Sequence, residues 1–510
     1  MHSFLGPSDP KFAHSIPRRP FLTSRLVEYD FYRLRDVSQH HAVTFLKFNK
    51  GEKEWLRTNA PYDLITQLLK AEQWTFSTLK GIINTPTMKP DGSLLTEPGY
   101  DEVTELWFKP SSKITLPPIP ERPTKEEAKA ALATLNELLI GFPFDGETKD
   151  NHKSVSRSVA LAGILTVVLR GAFGPAPIYA VTAPQGRTGK THLVHLIIVF
   201  GIGHIPVPTA GSGNPEEMGK RIETAAHSGR PYMHFNNLPN GMVLESDALC
   251  QISTEGGFVF RTLGKHDEGF CDCRAMTVFV NGNNISVGGD LVTRTLICRL
   301  DANMEKPWER KFGFDPIELV RRDRGKYLAA IFTMARAFKA AGYPKPEPGK
   351  MNAVSGFEDW SKMVQQLLIW LGMEDPFGAM EEALAVDPAR EKLQRLLDIL
   401  GKYRKDLGEQ FNAANCEKLA EDQKTGPDQR PAYKRPDLRD LMINRGRVDT
   451  TYFGRLLSEH QGKWYNKFRY VRGPTRGGRA TYKFEDGEAP QPKAPQPDQP
   501  TPTGEDPEAL

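Results

Sequence analysis

Cysteine is scarce in this 510-residue chain: there are five, an odd number, with no framework spacing. That excludes a disulfide-stapled secreted fold, and the thiols read as reduced in a cytosolic protein. The one close pair, Cys271-Asp272-Cys273, has no second pair at ligand spacing. It reads as part of a β-hairpin rather than as a zinc site. Long hydrophobic runs are also missing. The longest, residues 159–169, has 11 residues and stops at Arg170, whereas a membrane span needs about 20. The opening residues 1–20 are polar, basic and broken by proline, unlike a secretory signal. The expectation is a cytoplasmic protein with no membrane partner. Strong net charge is absent too. With 67 Lys and Arg against 63 Asp and Glu the balance is +4, so any affinity for nucleic acid has to come from local patches.

What the chain does have is one stretch around which the rest is organised: Ile178-Tyr179-Ala180-Val181-Thr182-Ala183-Pro184-Gln185-Gly186-Arg187-Thr188-Gly189-Lys190-Thr191. A short apolar β-type run enters a tight turn, and Gly189-Lys190-Thr191 opens a helix over residues 190–200. In such a layout backbone N–H groups and a helix N-terminus surround phosphate. Lys190 reaches the β/γ oxygens and the Thr191 hydroxyl takes Mg²⁺. The candidate cofactor-binding residues are therefore Pro184, Gln185, Gly186, Arg187, Thr188, Gly189, Lys190 and Thr191. The G-x-x-x-x-G-K-[ST] pattern wants Gly where this chain has Pro184. An ordinary helix N-terminus with a chance lysine is the plainer reading.

Around that stretch, short apolar strands at residues 178–182, 205–208, 231–235, 276–280 and 296–300 alternate with helices at 190–200, 215–226 and 246–253. This is an α/β pattern: a parallel sheet covered on both faces, with ligands gathered at the carboxyl ends of the strands. Three stretches fall at strand ends. Tyr232-Met233-His234-Phe235-Asn236-Asn237 has amides where a nucleotide-hydrolysing motor carries an acid that orders Mg²⁺. An amide accepts from a metal-bound water but cannot act as a base, so binding is a safer expectation than fast hydrolysis. Val278-Phe279-Val280-Asn281-Gly282-Asn283-Asn284 offers polar groups to an attacking water, or is simply a turn. Arg294, just before the last strand, is placed to reach a neighbouring subunit's phosphate, or is a surface arginine.

Elsewhere the signals are coarser. Residues 43–48 alternate like a strand, 61–71 have helical spacing, and 84–93 are turn chemistry. Residues 1–120 read as an accessory α+β domain. After the stiff linker at 117–120 come a capped amphipathic helix at 124–140 and a buried helix at 155–169. Residues 315–341 predict one long helix, basic at its start. Residues 357–371 predict another, whose Trp360, Val364, Leu367 and Leu371 form a core stripe. Residues 434–483 carry 13 Lys and Arg against 4 Asp and Glu, a local +9. Their order is helix (436–445), Gly446, helix (450–461), then strands (467–472 and 480–484) about a Gly- and Arg-rich turn. That is a winged helix-turn-helix pattern, with Tyr452 and Arg455 on the second helix and Arg476 and Arg479 in the wing as DNA-binding candidates. A basic protein-interaction module is the alternative. Residues 487–510 are a Pro-, Gln- and acid-rich tail that can form no core.

The order of phosphate loop, Phe235-Asn236-Asn237, hairpin at 258–273, Asn281-Gly282-Asn283-Asn284 and Arg294 resembles the AAA+ ATPase domain of helicase-type proteins from phages, prophages and other mobile elements. That domain is similar to the helicase half of primase–helicases and to superfamily-3 replicative helicases. Gly81-Ile82-Ile83-Asn84-Thr85-Pro86-Thr87, Pro90-Asp91-Gly92-Ser93-Leu94-Leu95 and Gly99-Tyr100-Asp101 belong to the same resemblance, which spans most of residues 80–484. It implies a P-loop AAA+ domain with a helical lid, ATP and Mg²⁺ as cofactors, a homo-oligomeric hexameric ring, and DNA in a central channel. It also implies that Lys190 and Thr191 hold phosphate and metal, with Asn236 and Asn237 at the hydrolytic strand end. Asn283 would be the sensor, Arg294 the finger, and Arg261, Lys265 and His266 of the hairpin would face DNA. The family has Asp where this chain has Asn236, which puts turnover at issue. The expected division is 1–120 accessory domain, 121–345 ATPase domain with preceding helices, 346–430 helical lid and linker, 431–486 winged helix-turn-helix, and 487–510 tail. The function expected is an ATP-dependent DNA helicase or translocase, the alternative an ATP-binding, DNA-binding assembly or recruitment protein that barely hydrolyses. A small-molecule kinase would leave the basic C-terminal region unexplained.

Overall fold

A computed structural model describes residues 44–487, less 71–76, 149–150, 228, 262–267, 311, 353, 381–387, 426–430, 445, 463–467 and 476–479. The chain divides into two compact units, Met1–Asp387 and Pro388–Leu510. Among the described residues no helix is long and apolar enough to cross a membrane.

The first unit begins with a two-stranded ribbon, β1 (Leu46–Asn49) against β2 (Glu54–Arg57), and helix α1 (Tyr62–Lys70). Five short strands follow: β3 (Gly81–Ile83), β4 (Thr87–Met88), β5 (Leu94–Leu95), β6 (Gly99–Asp101) and β7 (Leu106–Phe108). The turn chemistry at 84–93 closes the β4–β5 hairpin, with Gly92 at φ 84°. Ile83, Leu95, Leu106 and Phe108 pack on Ala275, against the central sheet's own chain.

Helix α2 (Lys125–Leu139) starts as its sequence dictates. Thr124 Oγ1 accepts from the Glu127 amide at 3.2 Å, and the Glu127 carboxylate accepts from the Thr124 amide at 2.7 Å. Its stripe Ala128, Ala131, Leu132, Leu135 and Leu138 is buried. α3 (Val155–Val168) is buried nearly all round.

The central domain runs β8 (Ile178–Ala183), α4 (Lys190–Ile202), β9 (Thr209–Ala210), α5 (Pro215–His227), β10 (Tyr232–Leu238), β11 (Val243–Leu244), α6 (Asp247–Glu255), β12 (Gly257–Arg261), β13 (Glu268–Asp272), β14 (Thr277–Asn283), β15 (Ser286–Val287) and β16 (Thr295–Arg299). Five of these strands form one parallel sheet in the order β16-β8-β14-β10-β9. Alternate residues of β8 feed two cores. Tyr179, Val181 and Ala183 join α2, α3 and α4 on one face; Ile178 and Ala180 join α5 and α6 on the other. A strand covered on both faces has to be apolar throughout, and β8 is. The strand expected at 205–208 is corrected to β9 at Thr209–Ala210, because Pro206 and Pro208 lack the N–H that a ladder needs.

The helix expected over 315–341 is corrected to two, α7 (Pro316–Arg322) and α8 (Arg324–Ala340), separated at Asp323. Arg324 turns inward, donating to Phe200 O at 2.8 Å. Gly325 lies so close to the Thr115 carbonyl that a Cβ there would come within 1.9 Å of its oxygen. The helix expected over 357–371 forms as α9 (Glu358–Trp360), a π-helical turn at Ser361–Gln365 and α10 (Gln366–Trp370). Trp360, Val364, Leu367 and Leu371 are core, as their spacing predicts.

The second unit contains α11 (Pro388–Lys402), α12 (Arg404–Leu407), β17 (Gln410–Phe411), α13 (Ala413–Glu421), β18 (Gln423–Thr425), β19 (Pro431–Tyr433), α14 (Pro436–Met442), β20 (Ile443–Asn444), β21 (Arg447–Val448), α15 (Thr450–His460), β22 (Phe468–Arg472) and β23 (Tyr482–Asp486). α14 stops at Met442, short of the expected 445, because residues 443–444 pair with 447–448 instead. β17, β23 and β22 make an antiparallel sheet. A single apolar core joins Leu396, Leu397, Leu400, Phe411 and Cys416 to Leu438, Phe453, Leu457, Tyr470 and Tyr482. Nearly all of the expected tail, residues 488–510, lies outside the described residues.

Candidate nucleotide site and candidate DNA-binding residues

Between β8 and α4 the chain turns through Arg187 at φ 60° and Gly189 at φ 103°. Gly189 is the residue type that takes such an angle without strain. Pro184 is not at a left-handed position, so this departure from the pattern leaves the loop's sharp turn intact. Pro184, Gln185, Gly186 and Arg187 are exposed, whereas Thr188 is buried. Lys190 is only 7% exposed. Its Nζ donates to Gln185 O at 2.9 Å and to Thr188 Oγ1 at 3.2 Å, and burial holds its pKa below the usual lysine value. Among the described residues no carboxylate pairs with it. A buried cation facing only neutral acceptors, beside a helix N-terminus, is a site that an anion would complete.

The metal side is a chain of hydrogen bonds that links two adjacent strands, β10 and β14, to the first turn of α4. The ladder between β10 and β14 is irregular between Phe235 and Leu238, and Asn237 sits exposed at φ 59°. This bulge re-aims Asn236 toward α4, where its Oδ1 accepts from Thr191 Oγ1 at 3.0 Å. Because β14 lies between β8 and β10, Asn281 stands beside both: its Nδ2 donates to Asn236 Oδ1 at 2.8 Å and to Thr191 Oγ1 at 3.2 Å. Behind it His234 Nε2 meets Asn281 Oδ1 at 2.7 Å. His234 is buried, which pushes its pKa down to about 4 and keeps the imidazole neutral. Asn284, at φ 47°, donates from Nδ2 to Pro184 O at 3.3 Å and to Asn240 Oδ1 at 3.0 Å. Asn283 pairs in register with Ala183 and accepts from the Gly241 amide at 3.0 Å.

The ATP and Mg²⁺ implied by the resemblance fit these donors in kind. Lys190 is a cation lacking an anion, and Thr191 and Asn236 bring two neutral oxygens together. Among the described residues no Asp or Glu is bonded to Lys190, Thr191, Asn236 or Asn281. Metal held here would have neutral protein oxygens around it.

Sequence reasoning missed three contributors. Asn281 and His234 lay inside stretches already singled out, but nothing marked them above their neighbours. Arg310 had no signal at all: it donates to Thr188 O at 3.3 Å and also to Gly141 O, tying the loop to the end of α2. Nearby, the Arg187 guanidinium lies 5.7 Å from the centre of the Trp308 ring.

Arg294 is not brought to Lys190. It precedes β16, whose Thr295 pairs with Ile178, the first residue of β8. It therefore stands at the opposite end of the sheet from the loop, roughly 20 Å along a strand of this length. Its Nε is buried without a hydrogen-bond partner among the described residues.

Of the candidate DNA contacts, Arg261 is the last residue of β12, while Lys265 and His266 lie outside the described residues. Tyr452 is half-buried and Arg455 exposed on α15; Arg476 and Arg479 lie outside the described residues. The local +9 is partly neutralised from outside its window. Lys434 pairs with Asp422 at 3.0 Å, Arg435 with Asp406 at 2.9 Å, and Arg469 and Lys483 with Glu485 at 2.9 Å each.

No protein-family profile matches the chain, and no curated protein does. Among solved structures it is similar to the A-form apo structure of the NrS-1 C-terminal region, at 12% identity and TM-score 0.36, covering 90% of this chain and 100% of that one. It is also similar to the SCCmec type IV Cch active helicase, at 10% identity and TM-score 0.31, covering 84% of this chain and 82% of that one. These are distant likenesses, and the case for function rests on the residues of the site.

Proposed function

We propose that the protein is an ATP-dependent DNA helicase or translocase serving replication of a phage or other mobile element, assembled as a homo-oligomeric ring of six. The observation that carries this reading is Lys190, a buried cation at a helix N-terminus that has no carboxylate partner among the described residues and lies next to the Thr191–Asn236–Asn281 cluster. In this reading Lys190 and the amides of residues 184–191 hold the phosphates. Thr191 and Asn236 would hold Mg²⁺, which when bound neutralises phosphate charge. Asn237 and Asn283 sit at the same strand tips and orient water. Arg294, at the far end of the sheet from its own Lys190, serves a neighbouring subunit's phosphate.

The DNA side of the proposal is a winged helix-turn-helix at 431–486. α15 enters the major groove with Tyr452 and Arg455, and Arg476 and Arg479 of the wing contact phosphate. The antiparallel pairing of β22 with β23 just after α15 supports it. Arg261, the last residue of β12, and Lys265, which follows it in sequence, contact single-stranded DNA in the ring's channel.

The test is phosphate release by the purified protein with and without single-stranded DNA. Turnover that DNA stimulates and that Lys190→Ala removes supports a motor. Tight ATP binding with no phosphate release on any DNA would replace the motor with an ATP-binding, DNA-binding assembly or recruitment protein.

A further inference from the structure

An asparagine at a metal site has a weakness that an aspartate does not. Both oxygens of a carboxylate accept, so its orientation is immaterial, whereas an amide turned by half a rotation offers N–H groups where an acceptor is needed. Asn236 works toward a cation only if its Oδ1, not its Nδ2, faces Thr191. Something has to fix that choice.

The neighbours of Asn236 form a chain that reads in only two consistent directions. In the one that matches Asn281 Oδ1 facing His234, Nε2 carries the proton and donates to that oxygen, which leaves Asn281 Nδ2 to donate to Asn236 Oδ1 and Thr191 Oγ1. The Thr191 hydroxyl donates to the same Asn236 oxygen. In the reverse, His234 carries its proton on Nδ1 and accepts at Nε2. Asn281 then turns its oxygen toward Asn236, which must answer with Nδ2. The Thr191 hydroxyl donates and accepts in either direction, so which direction holds is decided at the buried end, by His234, whose Nε2 donates in one tautomer and accepts in the other. Among the described residues His234 Nδ1 has no hydrogen-bond partner, and its ring packs edge-on to His195 with centroids 5.5 Å apart. No carboxylate or carbonyl there selects the Nδ1–H form among the described residues.

We propose that His234 is a positioning residue: its Nε2–H locks Asn281, and through it Asn236, so that the asparagine oxygen faces Thr191 and the site accepts Mg²⁺ without a carboxylate. The inference rests on the phosphate-loop reading above and assigns no contact between His234 and nucleotide. It explains how the chain tolerates asparagine at a strand end where its resemblance places aspartate.

The experiment measures a fluorescent ATP analogue binding to the full-length protein with Mg²⁺ and with EDTA. The parent should bind more tightly with Mg²⁺. His234→Leu, which has no donor, should lose about 10- to 100-fold of that Mg²⁺-dependent gain, with its EDTA affinity unchanged. His234→Gln, which keeps an N–H near the same place, should restore most of the gain. The decisive arm is coupling. In an Asn236→Asp background the His234→Leu change should have little effect on the gain, because a carboxylate needs no lock. Equal losses in the two backgrounds, or a full gain in His234→Leu, would overturn the proposal. A parent that binds no better with Mg²⁺ than with EDTA would overturn the metal reading and this inference together. The tautomer is read without any variant from ¹⁵N-labelled histidine: a neutral Nε2–H imidazole is expected for His234, and an Nδ1–H imidazole sinks the idea.

Discussion

Lys190 at the end of the central sheet and the basic residues of the C-terminal unit are both offered to anions, yet they are held in opposite ways. Lys190 is buried and, among the described residues, makes hydrogen bonds only to a carbonyl and a hydroxyl. Lys434, Arg435, Arg469 and Lys483 are paired with Asp422, Asp406 and Glu485. A buried cation without a counter-charge is costly, so an arriving anion relieves a penalty the fold already carries. A surface pair is worth at most about 1 kcal/mol, and a phosphate arriving there has to compete with a carboxylate. The first arrangement is a built site, the second a surface whose charge is partly answered by neighbouring carboxylates.

The largest expected effect tests the first half of that contrast. Lys190→Ala should abolish detectable nucleotide binding, since each charge-assisted hydrogen bond it would make is worth about 1.5–3 kcal/mol. Equilibrium binding of ATP to the folded variant checks this, and affinity equal to the parent's would refute the phosphate-loop assignment. If the fold carries the cost of an unpaired cation, the variant should also be no less heat-stable than the parent.

Burial of three histidines should make the first unit sensitive to acid. Burial lowers the pKa of His195, His204 and His234, the last to about 4. A depressed folded-state value means the unfolded chain binds more protons below about 6.5. Stability is therefore complete above about pH 6.5 and is lost as pH falls from there through 4. For His234 alone the loss approaches about 3 kcal/mol. Urea midpoints at pH 7.5 and 5 should separate, and the separation should shrink in His234→Gln. An identical separation in parent and variant would refute the burial argument. A smaller change is expected at the strand end: Asn236→Asp should raise phosphate release about tenfold, the worth of one stronger, charged contact. A lower rate would mean that Asn236 does not face the metal.

Much of the sheet was legible because its signals are local. A continuous apolar run, a Gly-Lys-Thr turn and an apolar helix are neighbours in sequence, and β8 and α4 form where they lie. What failed depended on register or on distant chain. Asn281 and Asn283 share a strand face, since side chains repeat every two residues. Only the pairing of Asn281 with Val181, two residues deeper than Asn283 with Ala183, brings Asn281 beside Thr191. Arg310 reaches the loop across more than a hundred residues of sequence. The break at Asp323 has only a weak local signal, Asp323 and Gly325 amid helix formers; the carbonyls of Thr115 and Phe200 that meet the chain there are distant in sequence. The charge count at 434–483 omits, for a related reason, the carboxylates Asp406, Asp422 and Glu485, which lie before and after the window.

Those outside carboxylates shape the smallest and last prediction. If duplex DNA meets the C-terminal unit, each phosphate contact releases counterions and adds about 0.9 to the slope of log affinity against log salt. Only cations free to leave the protein surface should count in full. Arg455 and Arg472 are exposed and have no ion pair among the described residues, so Arg455→Ala and Arg472→Ala should each flatten the slope by about 0.9. Arg469→Ala should flatten it less, because that side chain already gives two hydrogen bonds to Glu485, at 3.1 and 2.9 Å. Arg455, near the start of α15, should in addition alter preference among sequences, whereas Arg472 at the end of β22 should act alike on all. Salt titrations of duplex affinity for the three variants separate these outcomes. Three equal slopes would mean that ion pairing does not gate contact here. Slopes equal to the parent's in all three would move the DNA contact away from this face of the unit, toward the β12–β13 hairpin and Arg261.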